Sequence, residues 1–305
     1  MWFLKLFILT GIKIYDNFKI ENIRGRDCMK IITDSGSLYS PETGKALGID
    51  VLPLNVIVDK KSYKEFIDIQ SHEFLELLKD GHIPSSSQPS IGETMELLEK
   101  YEGEDILVIH MADGLSGTYQ STMSIKEDMK YPEKIHVINS MTLCGPEKYL
   151  VEKAVKLRDE GVAIDDIMKE IHKCIASEKS FLIPQDFGFL KRGGRLTPLA
   201  ATVGGMLKII PVMGKTPDGK RLEKFAIKKT MKAAVKEVIK AFEEHGVDKN
   251  YMIYVSHGGV LEQAQAIVKQ LQEAFENVKI ELYELSPAFI TQGGPGCIAV
   301  QTIHI

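Results

Sequence analysis

The alternation of apolar and polar positions changes character near residue 180. From Met29 to that point, short apolar runs alternate with amphipathic stretches. KIITDS (30–35) and VLPLNVIVDK (51–60) read as β-branched strands, with the Asp34-Ser35 pair placed to cap the turn after the first. DILVIHMA (105–112) is a continuous apolar run of the kind buried on both faces of a parallel sheet. HEFLELLKDG (72–81) sets Phe74, Leu77 and Leu78 on one helical face and stops at Gly81. IGETMELLEKY (91–101) predicts a second helix, with Ser90 as N-cap and Glu93 completing a capping box. A helix over 118–129, the strand HVINS (136–140) and helices over 147–161 and 164–176 come next. Strands separated by single helices predict a parallel sheet covered on both faces, a three-layer α/β/α domain over 29–180. IPSSSQPS (83–90) reads as a hydroxyl-rich loop between its helices.

Beyond Ser180, FLIPQDFGFLKRGGRL (181–196) reads as a strand and then a Gly-rich stretch, Arg192 and Arg195 flanking a Gly-Gly hinge. TPLAATVGGMLKIIPVM (197–213) reads as a small-residue, apolar, helix-like segment ending near Pro211. A PDGK turn, a KFAIK strand, helices over 229–246 and 262–275, and strands at 251–259, 278–285 and 296–303 complete the chain. They predict a second, two-layer α/β domain over 181–305.

Residues 1–28 differ from both parts. MWFLKLFILT is apolar but too short and too interrupted to span a bilayer, and no small-residue cleavage site comes after it. The expectation is a start-site artefact outside the fold, with a true N-terminal extension and then a membrane-directing segment as the alternatives, and with the first domain opening at Met29. The net charge of −4 becomes −6 once the five basic and three acidic residues of 1–28 are set aside. With no basic run and no Cys/His finger spacing, nucleic-acid binding is not expected. Cys28, Cys144, Cys174 and Cys297 form no CxxC pair and read as free thiols of a reducing, cytoplasmic compartment.

Three hydroxyl-bearing segments are candidates for chemistry: Asp34-Ser35, Ser85-Ser86-Ser87 and Ser116-Gly117-Thr118. Serines after strands commonly cap helices. A glycine beside them also lets the backbone approach an anion held by helix-start N–H groups. Ser116 lies in GLSGT rather than in a G-x-S-x-G elbow, and His136, His172, His245, His257 and His304 suggest no triad order. A serine-dependent hydrolase, or a small-molecule phosphotransferase using the Ser116 loop, stays open as the alternative. The P-loop, G-x-G-x-x-G and H-E-x-x-H patterns are missing, so no cofactor or metal is expected; Asp34 and Asp113 are the only acids considered for magnesium. The planar guanidinium of Arg195 suits a carboxylate or phosphate headgroup.

Taken in order, IITDSGS (31–37), SSQPS (86–90), LSGTYQST (115–122), NSMTLCG (139–145), LKRGGRL (190–196), GGMLKIIPV (204–212), SHGG (256–259) and GGPG (293–296) resemble the DegV family of bacterial fatty-acid-binding proteins. The resemblance covers 29–305. It implies a non-catalytic, monomeric protein that holds one long-chain fatty acid in a tunnel between two domains. It also implies that Ser86 and Ser116 bind the carboxylate, within a lipid-binding set of Ser86, Ser116, Gly117 and Thr118. The bound acid would be presented to a separate ATP-dependent fatty acid kinase, with Arg195, Gln292 and His257 in the headgroup or kinase-facing region and transient membrane contact near the opening. Many members carry threonine at the position of Ser86, and commonly histidine where this chain has Gln292. Glutamine hydrogen-bonds but carries no proton-switched charge. Burying roughly 15 methylenes at about 0.8 kcal/mol each gives on the order of 12 kcal/mol before costs, so the tail dominates affinity.

Overall fold

A computed structural model describes residues 29–202 and 209–305. The first half begins β1 (Lys30–Asp34), α1 (Pro41–Lys45), β2 (Ile49–Leu52), β3 (Asn55–Val58), β4 (Lys61–Lys64) and α2 (Ser71–Lys79). It continues with β5 (Ser85–Ser87), α3 (Ile91–Glu99), β6 (Ile106–His110), α4 (Thr118–Glu127), β7 (Ile135–Asn139), α5 (Gly145–Asp159) and α6 (Ile164–Ala176). The second half runs β8 (Lys179–Ile183), α7 (Phe187–Gly193), β9 (Ile210–Lys215), β10 (Leu222–Lys228) and α8 (Met231–Glu244). It closes with β11 (Tyr251–His257), α9 (Leu261–Ala274), β12 (Lys279–Glu284), α10 (Pro287–Gly293) and β13 (Ile298–His304).

The expected parallel sheet is present, in the order β2-β1-β6-β7 with every pairing parallel. All five residues of β6 are buried, as its unbroken apolar run requires. Leu98 of α3 and Ile125 of α4 cover one face, meeting Ile32, Ile106 and Val108. The other face, Ile31, Leu107 and Ile109, meets Leu150, Val151 and Ala154 of α5 and Ile167 and Ile171 of α6. The second sheet has the order β10-β9-β8-β13-β11-β12. Helices α8 and α9 cover one of its faces through Val235, Val238, Phe242, Ile267 and Leu271. Its opposite face presents Met252, Tyr254 and Ile303 to the same core that holds α5. So α5 lies between the two sheets and belongs to both. That approach requires Gly145: a Cβ there would lie 2.2 Å from Cγ of Tyr254.

Several local expectations are corrected. VLPLNVIVDK is two strands in different sheets, because Pro53 lies between β2 and β3 and cannot donate to a ladder. SSSQPS is not simply a loop: Ser85–Ser87 form β5, an edge of the small antiparallel sheet β4-β3-β5. Ser90 does cap α3, but the Glu93 carboxylate takes the Ser90 hydroxyl and Lys64 instead of closing a capping box. The Gly-Gly hinge is the end of helix α7, with Gly194 at φ +72° as its left-handed cap. Of the segment expected to be helix-like to Pro211, the described residues form a 3₁₀ turn at Ala200–Thr202 and the start of β9, where Pro211 lies within the strand, facing the irregular β10 edge. The rest of that segment, 203–208, and the extension 1–28 lie outside the described residues. Cys144, Cys174 and Cys297 are buried free thiols, as expected. Among the described residues no helix is long and apolar enough to cross a membrane.

Candidate functional site

Five segments converge on a cavity of about 270 Å³, the first being the β2–β3 connection with Leu54. Strand β5 supplies Ser86 and Ser87. The connection from β6 to α4 supplies Met111, Leu115, Ser116 and Gly117. The turn after α7 supplies Arg195, and α10 supplies Phe289 and Gln292. This mouth continues into a narrower cavity of about 100 Å³ lined by Leu143, Cys144, Leu182, Leu190, Leu222 and Leu285, among others. Met111, Leu115, Arg195, Phe289 and Gln292 line both, so the two are one elongated, amphipathic space.

The mouth is built for an anion. Gly117 is the N-cap of α4 and has no side-chain cap of its own; it brings the N-terminus of a ten-residue helix to the polar end, where Thr118 N donates to Ser116 Oγ at 3.4 Å. Ser116 Oγ lies 2.8 Å from Thr118 Oγ1. Thr118 is itself 2% exposed and lines neither cavity, so it orients Ser116 from behind. Gln292 Nε2 donates to Ser86 Oγ at 3.0 Å and ties α10 to β5. Arg195 donates from Nε to the Leu115 carbonyl at 3.0 Å and from Nη1 to the Gly193 carbonyl. Burial lowers its pKa, and no acidic side chain offsets that effect. The guanidinium is therefore a cation set into the junction of polar and apolar space without an anionic partner among the described residues.

The sequence-derived candidates divide accordingly. Ser86, Ser116, Gly117, Arg195 and Gln292 share the mouth, and Thr118 stands one layer behind. His257 ends β11, is 6% exposed and lines neither cavity; burial lowers its pKa and its Nδ1 has no partner among the described residues. Asp34 accepts from Gly36 N at 2.8 Å, the capping role expected of it.

Sequence reading missed a buried Asp–His–Thr chain. Asp34 Oδ2 lies 2.9 Å from His110 Nδ1, and His110 Nε2 lies 2.8 Å from Thr122 Oγ1. Asp34 and His110 are fully buried and Thr122 is 1% exposed, so the chain ties β1, β6 and α4 together with no access to the cavity. Its signal was a histidine closing an otherwise apolar strand. Ser116 Oγ pairs with Thr118 Oγ1 and accepts from Thr118 N, and among the described residues no histidine hydrogen-bonds it. Two further carboxylates, Glu65 and Glu147, are also fully buried. Burial pushes Glu65 up to about 7 and Glu147 well above the usual carboxylate range. Glu65 accepts from Ser35 Oγ and from Ala288 N at 2.9 Å, holding α10 in place.

Fold and site together define an α/β protein of two main sheets with one elongated cavity, polar at its mouth and apolar beyond. The profile described as "Uncharacterised protein, DegV family" matches residues 28–304, and the chain belongs to the DegV family. A DegV domain-containing protein of Halalkalibacterium halodurans is 31% identical over 276 residues, covering 88% of this chain and 96% of its own. DegV of Bacillus subtilis, described as a fatty acid binding protein, superposes with TM-score 0.79 at 25% identity, over 91% of this chain and 99% of its own. A fatty acid binding DegV family protein of Streptococcus agalactiae gives TM-score 0.81 at 26% identity, over 91% and 99%.

Proposed function

We propose that this protein binds a long-chain fatty acid, carboxylate at the mouth and chain in the apolar cavity, and presents the headgroup to a separate ATP-dependent kinase. The observation that carries the reading is the shared lining: Arg195 and Gln292 border both the polar and the apolar cavity. A headgroup at Arg195 therefore has its first methylenes already among Met111, Leu115 and Phe289. Ser116, the α4 N-terminus and Ser86 supply donors, while burial of the chain supplies most of the affinity. The solved relatives described as fatty acid binding support the ligand class. The kinase rests on the resemblance of the motifs, as does membrane contact, to which Leu199, 78% exposed near the Arg195 turn, is suited.

Native mass spectrometry of the purified protein, followed by denaturing extraction, tests the reading. A bound mass in the range of long-chain acids is expected. A ligand-free protein that also refuses added fatty acid would end it.

A further inference from the structure

The apolar cavity ends on a polar row. Gln301 of β13 is the cross-strand partner of Ser180 on β8, and Ser180 stands opposite Lys215 of β9, one step beyond the Phe181–Gly214 pair. All three line the cavity. Two positions along on the same face the lining is Leu182 and Ala299, also paired and wholly apolar. None of the row's three residues lines the mouth. Ser180 and Lys215 are shared instead with a separate cavity of about 570 Å³, so they stand as a septum between the two spaces.

The row is almost closed in hydrogen-bonding terms. The Glu178 side chain, 1% exposed, pairs with Lys215 and accepts from Ser180 Oγ and from Thr142 Oγ1, the last at 2.9 Å. Ser180 Oγ accepts in turn from Gln301 Nε2 at 2.8 Å, and the same nitrogen donates to the Leu143 carbonyl at 3.0 Å. A carbonyl can only accept, which fixes the orientation of the amide and engages both of its hydrogens. One group is left over. Gln301 is 1% exposed, and its Oε1 accepts from nothing among the described residues. Buried acceptors in folded proteins nearly always have a donor.

We infer that Gln301 Oε1 is a ligand subsite, and that the preferred ligand is a long-chain acid bearing a hydroxyl on the half of its chain far from the carboxylate. The inference rests on the fatty-acid reading above and specifies its substrate class. In a tunnel with an apolar end, a distal hydroxyl weakens binding, because it gives up water and gains no partner. Here the cavity wall carries a buried acceptor without a donor, and the sign of the hydroxyl's effect reverses once the chain reaches it. A second carboxylate at that end fits less well: Lys215 is already paired with Glu178, and the open group accepts rather than donates.

The test titrates the full-length, delipidated protein with palmitic acid and a set of its hydroxy derivatives, substituted from mid-chain to the terminal carbon. At least one derivative should bind roughly tenfold tighter than palmitic acid, the gain expected for a buried acceptor that acquires a donor. Gln301→Met should abolish that preference, read as the ratio of hydroxy-acid to palmitic-acid affinity within the variant, so that a general loss of binding does not imitate it. If the variant does not fold, the wild-type series decides alone. Hydroxy acids that all bind as palmitic acid does, or more weakly, overturn the inference and leave the fatty-acid reading standing. Failure to bind any of these acids removes both.

Discussion

Gln292 and Ser86 meet across the mouth, the amide of one donating to the hydroxyl of the other at 3.0 Å, although 206 positions separate them in the chain. The hydroxyl is thereby turned so that its own hydrogen is free for a headgroup. Ser86→Ala removes that donor and leaves the Gln292 amide without its acceptor. Fatty acid affinity should fall by about 1 kcal/mol, roughly fivefold, and Ser116→Ala should cost a similar amount. Displacement of a fluorescent fatty acid measures both. Unchanged affinity in the two variants would remove the hydroxyls from the headgroup site.

The place of Gln292 bears on the proposed kinase step. If proton transfer at that position assists phosphorylation of the acid, Gln292→His should raise acyl-phosphate formation at a fixed kinase concentration, because imidazole titrates near neutral pH and an amide does not. Arg195→Ala should slow it in any case, having lost the cation at the mouth. Equal rates for wild type and Q292H, beside a slow R195A, would limit residue 292 to holding Ser86 and the ligand in position.

The buried carboxylates give stability a defined dependence on pH. Glu65 moves from the usual 4.5 to about 7 through desolvation, and burial raises Glu147 well above the usual carboxylate range. Below about pH 4.5 both states hold these protons and stability is unaffected. Between 4.5 and about 7 the unfolded chain releases the Glu65 proton while the folded one retains it, so stability falls as pH rises; Glu147 extends the loss upward. His257, lowered by burial, acts in the opposite sense, as pH falls below its ordinary range. The clean measurement is therefore a difference: urea denaturation of wild type and Glu147→Gln from pH 5 to 8. The variant should gain on wild type as pH increases, and a constant gap would refute the assignment.

Gly145→Ala tests the seam between the sheets. Its Cβ would sit 2.2 to 2.5 Å from three atoms of Tyr254, in a ring that is 1% exposed and has no room to turn away. Overpacking a buried contact in this way should cost about 1–3 kcal/mol, read as a lower urea midpoint. A midpoint equal to that of wild type would mean that α5 can shift off β11 freely.

How much of this was legible in the chain depended on the range of the interaction. The parallel sheet was visible because β6 is buried on both faces and therefore apolar at nearly every position. The cap at Ser90 was visible because capping is local. Strand β5 was not: its three serines carry no apolar alternation, and they are a strand only because β3 lies beside them. Helix α7 was hidden by the glycines at its end. His110 was passed over because its partners, Asp34 and Thr122, come from two other elements. The polar row at Lys215, Ser180 and Gln301 was invisible for the same reason, since strand order alone makes neighbours of residues 180, 215 and 301.

The position of α5 has a mechanical consequence. Leu150 and Ala154 face β6 and β1 within the same core that holds Met252, Tyr254 and Ile303 of the second sheet. Swinging the halves apart like a clamshell would strip that core on both sides at once, at a cost of the order of unfolding. The molecule is riveted shut along its spine. Among the described residues the polar mouth lies where short segments meet, β5, α10 and the turns before α4 and after α7. On the proposed function, a partner that takes the headgroup would meet it at that seam, which can yield while the spine holds.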